Sequence, residues 1–397
     1  MAESGAVPGG EARSLARARW ALLFGNFVIA CGVMAPAGTM NDLTRSLQVS
    51  VSLAGHLIAI GAAVMCFGAP LLAGLVSGWD RRRLLAWALV WYGVGHVLCT
   101  LVPSFGAVLV VRTVALLAGA VFSPQAAAAI GFMSPPEERG RSITFVFLGW
   151  SIASVLGMPI SAWIGETFGW RSAFLLIAIL SFAGALWLYR AVPDGVKPAA
   201  LSRRAWGEVL THPVFMAMVA VTAMQSAGQF TLFSFFAPYF KLTFDASATE
   251  LSLLFGWFGL FGLLGNMVLS RTIDRFGAGR AVAVTMSLIA LSLLLWPLAT
   301  TFATMVLVLV PWALGCFSTN SGQQARLAQA APAFAAALMA LNTSAMYFGQ
   351  ATGAASGAWL VAHGGYAPLN WVGLVWLLAA IGLSAWVTRK ATTGAPP

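Results

Sequence analysis

One arginine, Arg112, interrupts the apolar run FGAVLVVRTVALLAGAVF, which contains no acidic residue. A permanently charged guanidinium in such a run must face a polar cavity, find carbonyl acceptors or extend outward, because a bare charge in hydrocarbon is costly. Its chemistry would be electrostatic: attraction of an anionic group on a solute, or coupling to a proton. The structural alternative is hydrogen bonding to backbone carbonyls, and the stretch holding Gly32, Pro36 and Gly38 could open such backbone. His96 and His56 also lie in apolar runs; an imidazole titrates near neutrality and can carry a proton, or can simply be a satisfied polar residue near an interface. Asp42 is a further coupling candidate, as an acid at the rim of an apolar run. Uncharged polar residues form the remaining candidate site: Asn26, Ser123, Gln125, Gln225, Gln229, Asn342, Thr343, Tyr347 and Gln350. Gln225 and Gln229 are one helical turn apart, with Ser226, Phe230, Phe233 and Phe236 nearby. Amides with aromatics suit a neutral or weakly charged organic solute; the alternative is hydrogen bonding between helices for structure alone. No apolar run carries a Ser/His/Asp set, paired acids or a metal-ligand cluster. Cys31, Cys66, Cys99 and Cys316 read as small packing residues. Enzyme chemistry, a metal and a cofactor are therefore not expected.

Positioning these residues requires long apolar elements. The chain has 397 residues, of which 59% are hydrophobic and 9% charged, far below the quarter charged that a soluble surface needs. The excess of 22 Lys and Arg over 12 Asp and Glu does not point to nucleic acid, because there is no soluble surface to carry a phosphate-binding patch. The composition leaves a polytopic helical membrane protein. Twelve stretches are predicted to span, at 19–40, 53–76, 84–102, 105–131, 143–166, 169–191, 213–240, 248–272, 280–299, 302–324, 333–361 and 368–388. With both termini cytoplasmic, 18 of the cations fall on the cytoplasmic side, Arg326 among them, and only Arg45, Arg171 and Lys241 fall outside. That asymmetry supports an even number of spans. All 12 acids, from Glu3 to Asp274, lie at or beyond span ends. Of the 16 Trp and 26 Phe, many mark span ends, such as Trp20, Trp79, Trp170 and Trp371, and read as interfacial anchors.

The expected fold is an all-α membrane protein of twelve transmembrane helices in two six-helix, pseudo-symmetric halves. The halves are residues 1–192 and 213–397, joined by a basic cytoplasmic linker at 193–212. Small residues recur at every fourth position in the fifth span (Gly149, Ala153, Gly157, Ser161, Gly165) and the eleventh (Ala345, Gly349, Gly353, Gly357). An offset of 192 carries the last four of the first row onto the second. Such rows let helix backbones approach closely. They are read here as tight packing, with sliding against partners in the other half as the alternative. Repeated six-helix units are the material of alternating-access transporters.

The stretch PPEERGRSITFVFLGWSIASVLGMPISAWIGETFGWRSAF at 135–174 resembles the major facilitator superfamily, and within it the twelve-span drug/proton antiporter branch with its arabinose-efflux-permease-like members. The resemblance rests on Arg139, Gly140 and Arg141, on Gly157 and Pro159, and on Gly169, Trp170, Arg171 and Phe174. It continues through GLLGNMVLSRTIDRFG and ALNTSAMYFGQATGA. It implies that helices 1, 4, 7 and 10 line a central cavity and that Arg112 is the family's helix 4 arginine. It also implies cytoplasmic latches. The second copy keeps Asp274, Arg275 and Gly277. In the first copy, LAGLVSGWDRRR, Arg81 and Arg82 are kept but the family's Asp is replaced, which predicts a weaker latch. Alternatively Arg81, Arg82 and Arg83 only set topology and meet lipid phosphates. The family's membrane-embedded acid in helix 1 is replaced by Val33.

These readings converge on a monomeric secondary transporter of the bacterial inner membrane. It would export a small organic solute (drug, sugar or nucleoside-like) with protons as the coupling ion. The lipid bilayer would be its only other partner. Uptake or gradient-driven exchange without protons is the alternative within transport; a non-transporting receptor or scaffold is the alternative outside it.

Overall fold

The computed structural model describes residues 8–197 and 202–393. Glu3 and positions 198–201 of the expected linker lie outside them. Among the described residues the chain is helical, without strands, and it divides into two compact units, Met1–Leu201 and Ser202–Pro397. The first unit holds α1 (Pro8–Gly38), α2 (Met40–Leu47), α3 (Val51–Ala54), α4 (His56–Leu75), α5 (Arg81–Leu101), α6 (Phe105–Met133), α7 (Arg139–Ile152), α8 (Met158–Phe168) and α9 (Trp170–Ala191). The second holds α10 (Arg203–Thr211), α11 (Pro213–Phe233), α12 (Phe236–Phe244), α13 (Ala248–Phe276), α14 (Ala278–Leu295), α15 (Phe302–Ala330), α16 (Ala335–Gly364) and α17 (Leu369–Thr393).

Ten of the described helices are long and apolar enough to cross a membrane, and eleven if a pair bent by 68° at His212 is one span. The remaining expected stretch is α16. Its 30 residues are ample for a span, but Asn342, Thr343, Ser344, Gln350, Thr352, Ser356 and the glycine row dilute its apolar character. Two expected spans are interrupted. The one at 143–166 carries a π-turn at Ala153–Gly157, just before Pro159, whose ring cannot donate to the Val155 carbonyl. The one at 213–240 breaks after Phe233 and resumes as α12. The linker region is partly helical, with α10 capped by the Ser202 hydroxyl.

Hydrocarbon offers no hydrogen bonds, so every carbonyl that a proline leaves open needs a partner from within the protein. Three such repairs are visible, and a serine is inserted into the ladder beside a fourth proline. Pro36 cannot donate to Gly32 O, and Arg112 Nη2 does so at 2.8 Å. Pro135 leaves Gly131 O to Arg139 Nε at 2.9 Å. Pro297 leaves Leu293 O to Asn370 Nδ2 at 3.2 Å. Beside Pro311, Ser292 Oγ donates to Val308 O at 2.6 Å and accepts the Trp312 amide at 2.8 Å. That hydroxyl is inserted into the helical ladder of α15.

The small-residue rows pack on the first long helix of their own unit. A Cβ on Gly149 would strike Leu23 O and the Phe27 amide of α1, one on Gly157 the Cys31 sulfur, and one on Gly165 the Thr39 side chain. On α16, a Cβ at Gly349 would strike Ala223 O, one at Gly353 Ala227 O, and one at Gly357 Thr231 O, all on α11. Backbone against backbone at this distance admits only glycine.

Candidate functional site

Arg112 lies in the interior of the first unit, 2% exposed. Nη2 reaches two α1 carbonyls, Gly32 O at 2.8 Å and Val33 O at 3.2 Å. Nε and Nη1 are buried without a hydrogen-bond partner. The guanidinium carbon sits 5.6 Å from the centre of the Phe174 ring of α9. His96 packs against the same ring at 5.5 Å and against Tyr92 at 4.3 Å. His96 Nδ1 is 2.8 Å from Tyr92 O, an acceptor only, so Nδ1 carries the hydrogen. Nε2 is left buried and without a partner. Tyr92 in turn donates to Ile29 O at 3.0 Å. One side of the arginine is therefore anchored to α1, while its other nitrogens and His96 Nε2 present unmatched polar atoms. The sequence offered carbonyls near Gly32 as one of two roles for Arg112. The structure supplies those bonds and leaves two of the three guanidinium nitrogens over.

Asn26 and Ser123 meet in a polar knot of the same unit. Ser123 Oγ donates to Asn26 Oδ1 at 2.7 Å, Trp150 Nε1 to Ser123 Oγ at 3.3 Å, and Asn26 Nδ2 to Val146 O at 3.3 Å. The knot ties α1, α6 and α7. Gln125 is fully buried, and neither of its amide atoms has a partner.

The second unit ties α11, α15 and α16 in a corresponding way. Thr222 Oγ1 donates to Asn342 Oδ1 at 2.5 Å, and Gln323 Nε2 donates to Thr222 Oγ1 at 3.2 Å and Met218 O at 2.9 Å. Trp150 and Asn342 are equivalent under the 192-residue offset of the small-residue rows. From Gln323 the chain of contacts continues to Arg326, and from there to Ser384 Oγ at 2.8 Å, Ser384 O at 3.1 Å and Thr388 Oγ1 at 2.8 Å. Arg326 was expected among the solvated cytoplasmic cations. It is instead 5% exposed, because α15 runs on to Ala330 rather than ending near 324. The polar series Asn320, Gln323, Gln324, Arg326 was its sequence signal, hidden by placing the span end too early.

Gln225 and Gln229 form a ladder of their own. Gln229 Nε2 donates to Gln225 Oε1 at 2.5 Å, Gln225 Nε2 to Ser226 Oγ at 2.9 Å, and Trp312 Nε1 to Gln229 Oε1 at 3.1 Å. Trp312 is also the centre of an aromatic cluster, with Phe236 at 5.1 Å and Phe258 and Trp296 at 6.2 Å. The amides are thus joined to a dense aromatic core of this unit. Thr343 bonds its own helix at Met339 O. Tyr347 and Gln350 share α16 with Asn342 but take no part in these networks.

The remaining candidates are held by structural bonds. Asp42 Oδ2 accepts the Trp170 amide at 2.7 Å, capping α9. Glu166 pairs with Arg45 at 2.9 Å. Trp170, expected as an interfacial anchor, is 1% exposed, with its indole on Ser46 Oγ at 2.6 Å. Arg81 is fully buried rather than lipid-facing, and donates to Val76 O, Ser77 O and Trp79 O in the turn that follows α4. Arg82 lies 4.1 Å over the Tyr189 ring. Asp80, next to Arg81, caps α5 through the Arg83 amide at 3.1 Å and accepts the Gly195 amide at 2.9 Å. In the second copy, Asp274 accepts from Gln329 Nε2 at 3.5 Å, Arg275 lies 5.9 Å from the Phe276 ring centre, and Gly277 makes the α13–α14 turn at φ 82°. Asp80→Ala is expected to cost about 1–2 kcal/mol through the lost cap, read as a lower thermal midpoint in detergent. An unchanged midpoint would remove this clasp from the account.

The Major Facilitator Superfamily profile matches residues 22–241 and 220–396. The chain is 25% identical over 360 residues to the uncharacterized MFS-type transporter YbcL of Bacillus subtilis (strain 168), covering 90% of this chain and 92% of that protein. It is 25% identical over 344 residues to the inner membrane transport protein YdhP of Escherichia coli (strain K12), covering 87% and 88%. Among solved structures, the fold is similar to the human organic anion transporter MFSD10 (TETRAN), with TM-score 0.76, 14% identity and coverage of 94% and 99%. It is equally similar to the proton:xylose symporter XylE bound to 6-bromo-6-deoxy-D-glucose, with TM-score 0.77, 15% identity and coverage of 97% of each chain.

Proposed function

The chain belongs to the Major Facilitator Superfamily, a multi-pass membrane secondary transporter of small molecules rather than an enzyme, and on that premise we propose that it exports a small organic solute by alternating access. The observation that carries this reading is the repeated construction of the two units. Each packs a small-residue row on its first long helix, and each knots three corresponding helices with buried polar side chains. Units stiffened internally in this way can move as bodies, and alternating access in repeat-built transporters is largely such motion. Outward direction, and membership of the drug/proton antiporter branch, rest on the RGR turn, the Gly157–Pro159 region and the Gly169–Trp170–Arg171 start of α9. We place the protein in the bacterial inner membrane as a monomer with both termini cytoplasmic and the two halves joined by the basic 193–212 segment.

Proton coupling by the branch's usual carboxylate has no group to use here. Every described acid sits at a helix end, in a loop or in a short helix, and Asp42 and Glu166 are held as a cap and an ion pair. Arg112, with its unmatched nitrogens, is the residue we assign to solute or coupling charge. The same observation favours a second reading, gradient-driven exchange without protons. Transport into reconstituted vesicles separates them, with a panel of sugars, nucleosides, drugs and organic anions tested with and without a pH gradient. Proton-coupled export predicts accumulation that collapses when the gradient is dissipated. Undiminished exchange without a gradient would overturn it in favour of the second reading.

A further inference from the structure

At one end of the first unit, the start of α1, the start of α5 and the end of α9 converge on a cavity of about 340 Å³ lined by Arg13, Ser14, Arg17, Arg82, Arg190 and the segment Ala191–Pro193. Four arginines and a serine line this space, and no acid is among its described lining residues. Among the described side chains, three nearby acids are engaged elsewhere. Asp80 takes the Arg83 and Gly195 amides, Asp194 also approaches the Gly195 amide, and Glu138 pairs with Arg19 at 2.5 Å. Arg82 is held in place by the Tyr189 ring, 4.1 Å from its guanidinium carbon, and its Nε is buried without a partner. Four like charges gathered with no acid among the described lining residues create a positive potential that an anion between them would relieve.

We propose that this cavity is a binding site for a phosphate ester, the headgroup phosphate of an anionic phospholipid. Guanidinium forks match phosphate oxygens bidentately, and a phosphate has enough acceptor oxygens to engage several arginines at once. Exposed aromatics near the lining residues favour a lipid over a soluble anion. Trp20 lies three residues after Arg17, Trp79 three before Arg82, and Trp187 and Tyr189 within three of Arg190, and all are 42% exposed or more. Exposed Trp and Tyr at the ends of apolar helices mark headgroup level. A phosphate here would bridge α1, α5 and α9 and brace that end of the unit. The substrate of transport and its coupling play no part in the inference.

The test compares the full-length wild-type protein with the Arg17→Gln/Arg190→Gln double variant, whose altered side chains are exposed. The control is Arg271→Gln/Arg280→Gln, which removes two exposed arginines from the second unit. Binding is read by native mass spectrometry and by thermal midpoint in detergent, with phosphatidylglycerol, phosphatidylcholine and inorganic phosphate as separate probes. We expect phosphatidylglycerol to bind and stabilise wild type and control alike. Its affinity should fall at least ~10-fold in the double variant, the loss of charge-assisted hydrogen bonds from two arginines. Stabilisation by phosphatidylglycerol with no effect of inorganic phosphate identifies the lipid as the source. Equal stabilisation by inorganic phosphate keeps the phosphate site and assigns it to a soluble anion. Equal loss in the control, or unaltered phosphatidylglycerol affinity in the double variant, overturns the proposal. An Arg82→Lys variant adds an independent check: it keeps the charge but loses the fork and the flat stacking on Tyr189, and should bind less tightly than wild type.

Discussion

Arg112→Ala is expected to lower transport at least ~100-fold, about 2.7 kcal/mol of lost function, while the protein still inserts and folds. The physical argument has two parts. Removing the side chain leaves Gly32 O without a donor, because Pro36 cannot supply one, at a stability cost of about 1–3 kcal/mol. It also removes two buried nitrogens that have no partner, which offsets part of that cost. Fold and function should therefore separate. Arg112→Gln keeps a donor for Gly32 O but no charge, and should fold well yet remain inactive. Arg112→Lys keeps the charge without the fork and should retain partial activity. The decisive variant is Pro36→Ala combined with Arg112→Ala. Pro36→Ala returns a backbone amide to Gly32 O. If the arginine exists only to repair the helix, the pair recovers transport; if its charge acts on solute or coupling, the pair stays silent. Recovery, or full transport by Arg112→Ala alone, would sink the functional assignment.

Gly353→Leu should have the largest effect on the fold. A Cβ at this position would overlap Ala227 O and lie 2.9 Å from the Thr231 amide nitrogen, both backbone atoms of α11. Backbone cannot swing aside as a long side chain can, so α16 and α11 must separate. Separation forfeits the close packing that joins apolar helices where hydrocarbon gives no hydrophobic drive. A cost of about 3 kcal/mol or more is expected, at the upper end of overpacking, read as loss of monodisperse protein after detergent extraction. Gly382→Leu on α17 is the control. Nothing lies within 4 Å of a Cβ there, and the position is exposed. It should extract like wild type, since leaving glycine inside a helix is neutral or favourable. Equal yields from the two variants would mean that the α11–α16 contact does not hold the second unit together.

The sequence made a good deal of this legible. The apolar runs foretold most of the helices to within a few residues, because transfer from water to hydrocarbon is a local, additive property of a segment. The small-residue rows were visible as a four-residue period, and their 192-residue offset already tied the two units together. Arg112 stood out for the same reason, as a charge whose surroundings could not solvate it. Errors fell where the end of a helix mattered. Arg326 was placed with the solvated cations because the run of Leu and Val ends before α15 does. Trp170 was placed at the interface because it opens a span, whereas Asp42 and Ser46 draw it inside.

What the residue string alone determined is a membrane bundle of repeated small-row helices, with cations gathered between the apolar runs and one arginine stranded in an apolar helix. Only the tertiary structure decided what each polar group meets. Arg112 finds Gly32 across 80 residues of chain, Thr222 finds Asn342 across 120, and Ser292 enters the ladder of α15 across 16. Hydropathy carries no record of such pairings. They depend on the rotation and approach of whole helices, and those are set by which glycines allow backbone contact and which prolines leave a carbonyl open. Lipid provides no alternative partner, so the open carbonyls of Gly32, Gly131 and Leu293 each take a side chain that comes within reach.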